Sequence, residues 1–263
     1  MTERRERFRA SRSYALYYGS GEAEKLSRYD AAIVEPQGQT PETLAALRAA
    51  GTLRIAYVSA MEIASYDPLY DNLKDEDFVT VRGERAVNAA FGTELASLRS
   101  KRWRSLLHYR VGGLLLRDGY DGVFLDTIGD AEWASLERES APECEAAATW
   151  VRELREQFPA HVIVQNNGFD GLHRSTAPYV DGFCWENPPV DRRDARPWVE
   201  RVAAELYDLR RRHGLLLLLL LEADAARDDR RLPLAEAFAA KHEFLLYRTS
   251  TNYLGIEGAE TGA

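Results

Sequence analysis

Residues 121 to 130 read Asp-Gly-Val-Phe-Leu-Asp-Thr-Ile-Gly-Asp, an apolar run that ends abruptly in acid. Val123, Phe124 and Leu125 read as a short strand buried on both faces, and Asp126 falls where that strand leaves the core. A carboxylate there is either a group placed for chemistry or a cap for the turn that follows. The same grammar, an apolar run followed by a polar cluster, recurs along the chain. Taken in order, the clusters hold Tyr17 and Tyr18, Glu35, Ser59 and Glu62, Asp126, Asn166 and Asn167, Trp185 and Glu186, Glu222 and Asp224, and Tyr247. These are carboxylates, amides and aromatics. Paired carboxylates suit glycoside hydrolysis, in which one carboxyl protonates the leaving oxygen and the other acts as nucleophile or as base for water. Aromatic faces pack on sugar C–H surfaces, and amides both donate to and accept from sugar hydroxyls. Strand-end acids also serve as caps and structural salt bridges, so residue types alone leave both readings open.

The set contains no histidine. His161 begins its apolar run, and His108, His173, His213 and His242 fall in helices or their flanks, whereas a zinc hydrolase needs histidines at strand ends. Neither a Gly-rich phosphate loop nor a Ser nucleophile elbow is present. Cys144 and Cys184 are the only cysteines and lie far apart in sequence, which gives neither a disulfide framework nor a cysteine zinc site. No metal and no cofactor is expected. The formal charge of -8 and a pI near 5.3 oppose a nucleic-acid partner, which needs a basic face, and suit a neutral or cationic ligand. No membrane association is expected either, since the longest apolar block, Leu215 to Leu221, is far short of the roughly 20 residues that span a bilayer. Arg4-Arg5 and Phe8 distantly resemble a twin-arginine signal, but no apolar region follows before Tyr14. Residues 1–13 are therefore expected to be a flexible extension, and the protein cytoplasmic as written, or secreted if the N-terminus is truncated. The oligomeric state is not legible.

The candidate residues need elements that deliver them to one place. Tyr14 to Tyr18 reads as a first strand and Glu22 to Tyr29 as a short helix. Ala31 to Val34 is a second strand, and the next helix has clear punctuation, with Thr40 as N-cap, Pro41 at the first helical position and Gly51 as its stop. Leu53 to Val58 makes a third strand. From Ile63 to Arg99 the pattern weakens into a long polar excursion, either a lid or binding loop or a solvated segment of no special role. Trp103 to Leu116 is helical, Val123 to Leu125 is the fourth strand, and Ser140 with Glu143 marks a capping box for a helix that carries Trp150, Val151 and Leu154. Strands follow at His161 to Val164, Val180 to Trp185, Leu215 to Leu221 and Phe244 to Tyr247, with helical faces between them at Trp198 to Leu209 and Leu234 to Ala240. Eight strand-and-helix units in strict alternation predict parallel strands with crossover helices, an α/β protein built as a single (β/α)8 TIM barrel. An open doubly wound sheet is the runner-up, but no Gly-x-Gly-x-x-Gly follows the first strand. In a barrel, the residues after each strand converge on one face.

Several stretches together resemble glycoside hydrolase family 114. They are Tyr57-Val58-Ser59-Ala60-Met61-Glu62, Gly119 to Thr127, Asn166-Asn167-Gly168 and Val180 to Glu186. The resemblance spans roughly Tyr14 to Ile256, and the Gly-Tyr-Asp-Gly-Val-Phe-Leu-Asp segment is its most specific part. It implies a TIM barrel with catalytic acids after strands 4 and 6, here Asp126 and Glu186. The activity implied is that of an endo-α-1,4-polygalactosaminidase, a retaining glycosidase on α-linked galactosamine or N-acetylgalactosamine polysaccharide, with Asp126 as nucleophile and Glu186 as general acid/base. Glu186 then needs a raised pKa, and the adjacent Trp185 is expected to help desolvate it. The competing role for Glu186 is a salt bridge to Arg192 or Arg193. The chain departs from its relatives in reading Ser59-Ala60-Met61-Glu62 where they often have Ser-x-Gly-Glu, in ending strand 7 with Glu222-Ala223-Asp224 where they often have Asp-Tyr, and in showing no signal peptide. Two alternatives remain, a non-catalytic carbohydrate-binding barrel and a metal-assisted lyase that gathers Glu35, Asp126 and Glu222 around one ion.

Overall fold

The structure is a computed structural model that describes residues 2–137, 142–222, 228–249 and 251–256. Eight parallel strands form one sheet in sequence order: β1 (Tyr14–Tyr17), β2 (Ala31–Val34), β3 (Leu53–Ser59), β4 (Gly122–Asp126), β5 (Val162–Asn166), β6 (Gly182–Glu186), β7 (Leu216–Glu222) and β8 (Leu245–Thr249). Each pairs in parallel with the next. The sheet curls until its ends meet, with the rings of Tyr14 and Tyr247 5.5 Å apart and the Tyr14 hydroxyl donating to the Leu219 carbonyl at 2.7 Å. The result is the expected α/β barrel. The leucine run is buried along almost all of β7, and among the described residues no helix is long and apolar enough to cross a membrane.

Local chemistry explains the helices that carry the chain back. After α1 (Glu3–Arg9) and α2 (Ala23–Leu26) comes α3 (Pro41–Ala50), where the Thr40 hydroxyl accepts from the Thr43 N–H at 3.2 Å and Gly51 ends the helix at φ 85, a conformation that favours glycine. Ser100 caps α4 (Lys101–Gly112) in the same way, and buried Trp103 donates from Nε1 to the Ala60 carbonyl at 2.8 Å, fastening the helix to the end of β3. The α-helices that follow are α5 (Asp130–Glu137), α6 (Pro142–Gln157), the short α7 (Leu172–Thr176), α8 (Arg196–His213) and α9 (Asp228–His242). Ser140, expected to cap α6, lies outside the described residues, as does Asp224.

Before β2, β4 and β6 stands an aspartate, and five residues later each strand ends in acid: Asp30 and Glu35, Asp121 and Asp126, Asp181 and Glu186. The lower acid of each pair bolts its strand to the underside. Asp30 accepts from the backbone N–H groups of Arg12 and Ser13 at 2.7 and 3.0 Å. Asp121 is bound by Arg54 at 2.8 Å and Arg4 at 3.2 Å, and Asp181 by Arg155 at 2.6 Å, Arg5 at 2.7 Å and Arg9 at 3.1 Å. Gly182 is required there because a Cβ would stand 2.6 Å from the Leu216 carbonyl oxygen and 3.1 Å from the Phe8 ring.

Two expectations change. Residues 1–13, expected to be a flexible extension, instead carry a short helix, Glu3–Arg9, that docks under the barrel. Its Phe8 is fully buried, and its arginines neutralise aspartates that burial would otherwise leave uncompensated. The polar excursion after β3 is also ordered. Glu62–Ala64, Thr93–Leu95 and Val87–Asn88 form a small antiparallel sheet, beside a hairpin of Thr80–Val81 and Glu84–Arg85. Phe78, Val79, Ala86 and Leu95 are buried beneath it, and Arg85 lies 4.0 Å from the Phe78 ring centroid while pairing with Glu94.

Candidate active site

Asp126, Asn166 and Glu186 end three neighbouring strands, β4, β5 and β6. The Asn166 side-chain amide donates to both acids, to Asp126 Oδ1 at 2.7 Å and to Glu186 Oε2 at 2.6 Å. Two bonds of those lengths meeting at one nitrogen keep Asp126 Oδ1 and Glu186 Oε2 within the sum of those lengths of each other. A tyrosine takes the second oxygen of each acid. Tyr57 donates to Asp126 Oδ2 at 2.9 Å, and Tyr253 donates to Glu186 Oε1. Tyr18 stands between these tyrosines, its ring 4.8 Å from Tyr57 and 5.1 Å from Tyr253. Each carboxyl is thus fixed at both oxygens, and no ion pair joins either acid to a cation among the described residues.

The strand ends share one device. The residue after each site residue is held in the left-handed region: Thr127 at φ 57, Asn167 at 53 and Asn187 at 48. A β-branched residue is a true outlier there, so the surroundings must hold it. In each case a side-chain oxygen reaches the backbone of an adjacent strand or loop. Thr127 Oγ1 accepts from the N–H groups of Ala60, Met61 and Glu62 at 3.1, 2.9 and 3.2 Å. Asn167 Oδ1 accepts from the Glu186 N–H at 3.1 Å, and Asn187 Oδ1 from the Glu222 N–H at 3.0 Å. Strand-end backbone is tied sideways, so the acids rest on a rigid rim.

The glycoside-hydrolase family GH114 model matches residues 4–187, which includes both acids and Asn166. The chain belongs to this family. It is a glycosidase. Among solved structures, the glycoside hydrolase domain of PelA from Pseudomonas aeruginosa is 20% identical with a TM-score of 0.75, the match covering 94% of this chain and 100% of that one. Ega3 from Aspergillus fumigatus, solved in complex with galactosamine, is 15% identical with a TM-score of 0.70 over 93% of both chains. An α-galactosidase from Thermus thermophilus is more distant, with a TM-score of 0.58 and 15% identity over 91% of this chain and 57% of that one. At such identities the likeness is one of fold. No curated protein sequence matches the chain significantly.

In this GH114 chain, burial and the neighbouring Asp126 push the Glu186 carboxyl above the usual range, opposed by the bonds from Tyr253 and Asn166. Burial also raises Asp126, but three donors favour its charged form: Asn166, the Thr127 N–H and Tyr57. When one proton is shared between two such acids, the carboxyl with more donors is the better place for the charge. A second acid pair lies at the rim. Asp130 stands close to Glu62, and burial followed by the charges of Glu62 and Asp126 lifts it to about 8. Glu62 in turn accepts from Asn88 at 2.7 Å and Thr93 at 2.5 Å, which ties the small antiparallel sheet to the mouth of the barrel.

Asp130 yields a stability prediction. Its folded pKa lies above the ordinary aspartate value of 3.8, so the folded state holds a proton that the unfolded state releases. The stabilising contribution is full below about pH 4 and is lost as pH rises toward about 8. Asp130→Asn is therefore expected to stabilise the protein by on the order of 2 kcal/mol near pH 8, roughly 5 °C in Tm, and to do little near pH 4. Calorimetry at the two pH values checks this, and an equal change at both contradicts it.

The other sequence candidates divide. Tyr18 lines the site, and Glu62 stands at its rim. Asn167 and Ser59 are supports, Ser59 Oγ donating to the Glu62 carbonyl at 2.7 Å. Glu35 caps the turn Pro36–Gly38 by accepting from the Gln37 N–H at 3.3 Å, and burial raises its pKa. Glu222 accepts from the Asn252 N–H at 3.0 Å. Three aromatics do not reach the site. Tyr17 folds under the Gly19 turn and donates to the Ser20 carbonyl at 3.1 Å. Tyr247, 4% exposed, packs between Tyr14 and Tyr29. Trp185 is also buried and does not shield Glu186. Successive strand residues face opposite ways, and its ring sits among Phe169, Trp198, Phe238 and Phe244. Arg192 pairs with Asp194 instead of Glu186. Among the described residues no group of three or more His, Cys, Asp and Glu side chains gathers to hold a metal ion. The sequence reading missed Tyr57, Thr127, Asp130 and Tyr253. Tyr57 had a signal, since it lies two residues before Ser59 and so shares its face of β3.

Proposed function

We propose that this protein is a retaining glycosidase that cleaves α-linked galactosamine or N-acetylgalactosamine polysaccharide, with Asp126 as nucleophile and Glu186 as general acid/base. The observation that carries this is the Asn166 amide bonded to both acids, a close approach of their oxygens that suits a double displacement better than the wider gap of about 6.5–9.5 Å in inverting enzymes. In the first step Asp126 attacks the anomeric carbon while Glu186 gives its proton to the departing glycosidic oxygen. A glycosyl ester on Asp126 forms and the leaving chain departs as an alcohol. In the second step Glu186, now a carboxylate, takes a proton from water, the water oxygen bonds to the anomeric carbon, and Asp126 leaves. The starting protonation states are restored.

The substrate class draws on family membership and on charge. The galactosamine bound by Ega3 is an amino sugar. Here Asp126, Glu186, Glu62 and Glu222 lie about the mouth, and among the described residues no cation pairs with the two central acids, an arrangement that favours a substrate with free ammonium groups. The test is incubation with α-1,4-linked galactosamine oligomers of defined acetylation. Shortened products whose first-formed anomer is α, by proton NMR, support the proposal. A β product means inversion, and absence of cleavage across the acetylation series removes this substrate class.

A further inference from the structure

After β8 the chain turns back on itself. An antiparallel bridge between Thr249 and Ile256 closes a hook whose tip is the turn Thr251–Tyr253. Asn252 and Tyr253 both lie in the left-handed region, at φ 62 and 59; asparagine enters it readily, but a bulky residue such as Tyr253 does so only when its surroundings impose it. The surroundings are specific. The Asn252 N–H donates to Glu222 Oε1 at 3.0 Å, the Tyr253 carbonyl accepts from the Tyr18 N–H at 2.9 Å, and the Tyr253 ring packs on Tyr18. Held in this way, the Tyr253 hydroxyl donates to Glu186 Oε1. We propose that this hook belongs to the working site, with Tyr253 as a positioning residue that fixes the Glu186 carboxyl for proton transfer and Glu222 as the post that keeps Tyr253 aimed at it.

The inference rests on Glu186 being the general acid/base. That role needs one orientation kept through two protonation states. The Asn166 amide nitrogen only donates, whereas a tyrosine hydroxyl donates or accepts, so Tyr253 stays bonded to Glu186 with the proton on or off. It also gives the strand-7 acid a task other than touching sugar.

The titratable groups facing Glu186 are Asp126 on β4, Glu222 on β7, Tyr14 and Tyr18 on the β1 side, Cys184 beneath it on β6, and Tyr253. Asp126 and Glu222 favour the protonated acid, while Tyr253 and Asn166 favour its charge. Tyr14, Tyr18 and Cys184 are kept neutral by burial. Loss of the Tyr253 hydroxyl therefore leaves Glu186 protonated to higher pH. The alkaline limb of kcat/KM, which reports loss of that proton, moves up by about one pH unit.

Tyr253→Phe is the test, with Tyr57→Phe as its contrast. kcat/KM is followed against pH on galactosamine oligomers, and the Glu186 carboxyl is titrated by carbon-13 NMR, its resonance assigned by loss in Glu186→Gln. Tyr253→Phe is expected to raise the alkaline limb and the Glu186 titration together by about one pH unit, and to lower kcat by roughly tenfold or more through mispositioning. Tyr57→Phe is expected to raise the acidic limb instead, because Asp126 loses a donor. Glu222→Ala reproduces the kcat loss, and Glu222→Gln, which keeps an acceptor for the Asn252 N–H, restores most of it. An unmoved limb and an unmoved Glu186 titration in Tyr253→Phe overturn the proposal. If the wild type cleaves nothing, the glycosidase reading fails on its own, and the carbon titration still decides whether Tyr253 governs Glu186.

Discussion

Glu186→Gln is expected to cut turnover on galactosamine oligomers by about 10²–10⁴-fold, and Asp126→Asn by at least as much, with both proteins folded. The geometry makes the effect large because the two groups have no understudy. Asn166, Tyr57, Tyr253 and Tyr18 are neutral, and the rim acid Glu62 is bonded to Asn88 and Thr93 of the small antiparallel sheet. Both variants are also expected to gain stability at neutral pH. Each removes a carboxylate whose charge is opposed by burial, a cost that functional sites commonly carry. Steady-state kinetics and a thermal melt together separate this from simple unfolding. Turnover within tenfold of wild type in either variant removes that residue from the pair.

Asp181→Ala is expected to do the opposite, destabilising the protein by about 3–5 kcal/mol, or roughly 10 °C in Tm, with little direct effect on the chemistry. Asp181 is fully buried and takes bonds from Arg5, Arg9, Arg155 and the Ile163 N–H. Its loss strands three partly buried guanidinium groups and a backbone donor, and it releases the helix Glu3–Arg9 from the underside. Arg9→Ala should cost far less, because Asp181 keeps two cations. Chemical denaturation checks the contrast, and equal costs for the two variants contradict it.

The barrel was legible because its strands are short, apolar and separated by well-punctuated helices. Thr40, Pro41 and Gly51 announce α3 as plainly as any coordinates. Asp126 and Glu186 stood out from the other strand-end acids through the resemblance to family 114, since an acid that closes an apolar run is as readily a cap, as Glu35 proves to be. What could not be read follows from the limits of pattern. Strands of two or three residues in the 62–95 segment are too short to show a period. Trp185 was assigned to the wrong face because adjacency in sequence is opposition in a strand. The helix Glu3–Arg9 reads as plain charge until Asp121 and Asp181 are known to lie beneath the barrel. Tyr253 is separated from Glu186 by α8, β7, α9 and β8, and the left-handed turn that aims it is only half signalled, because Asn252 tolerates that conformation whereas Tyr253 does not.

The most direct test of the account is to trap the glycosyl ester. A fluorinated α-galactosaminyl fluoride, which forms the ester quickly and hydrolyses it slowly, is incubated with the protein before peptide mass spectrometry. One added sugar residue on the peptide that contains Asp126, absent from Asp126→Asn, is the predicted result. A label on any other carboxylate contradicts Asp126 as nucleophile, and turnover of the reagent with no labelled peptide contradicts the double displacement.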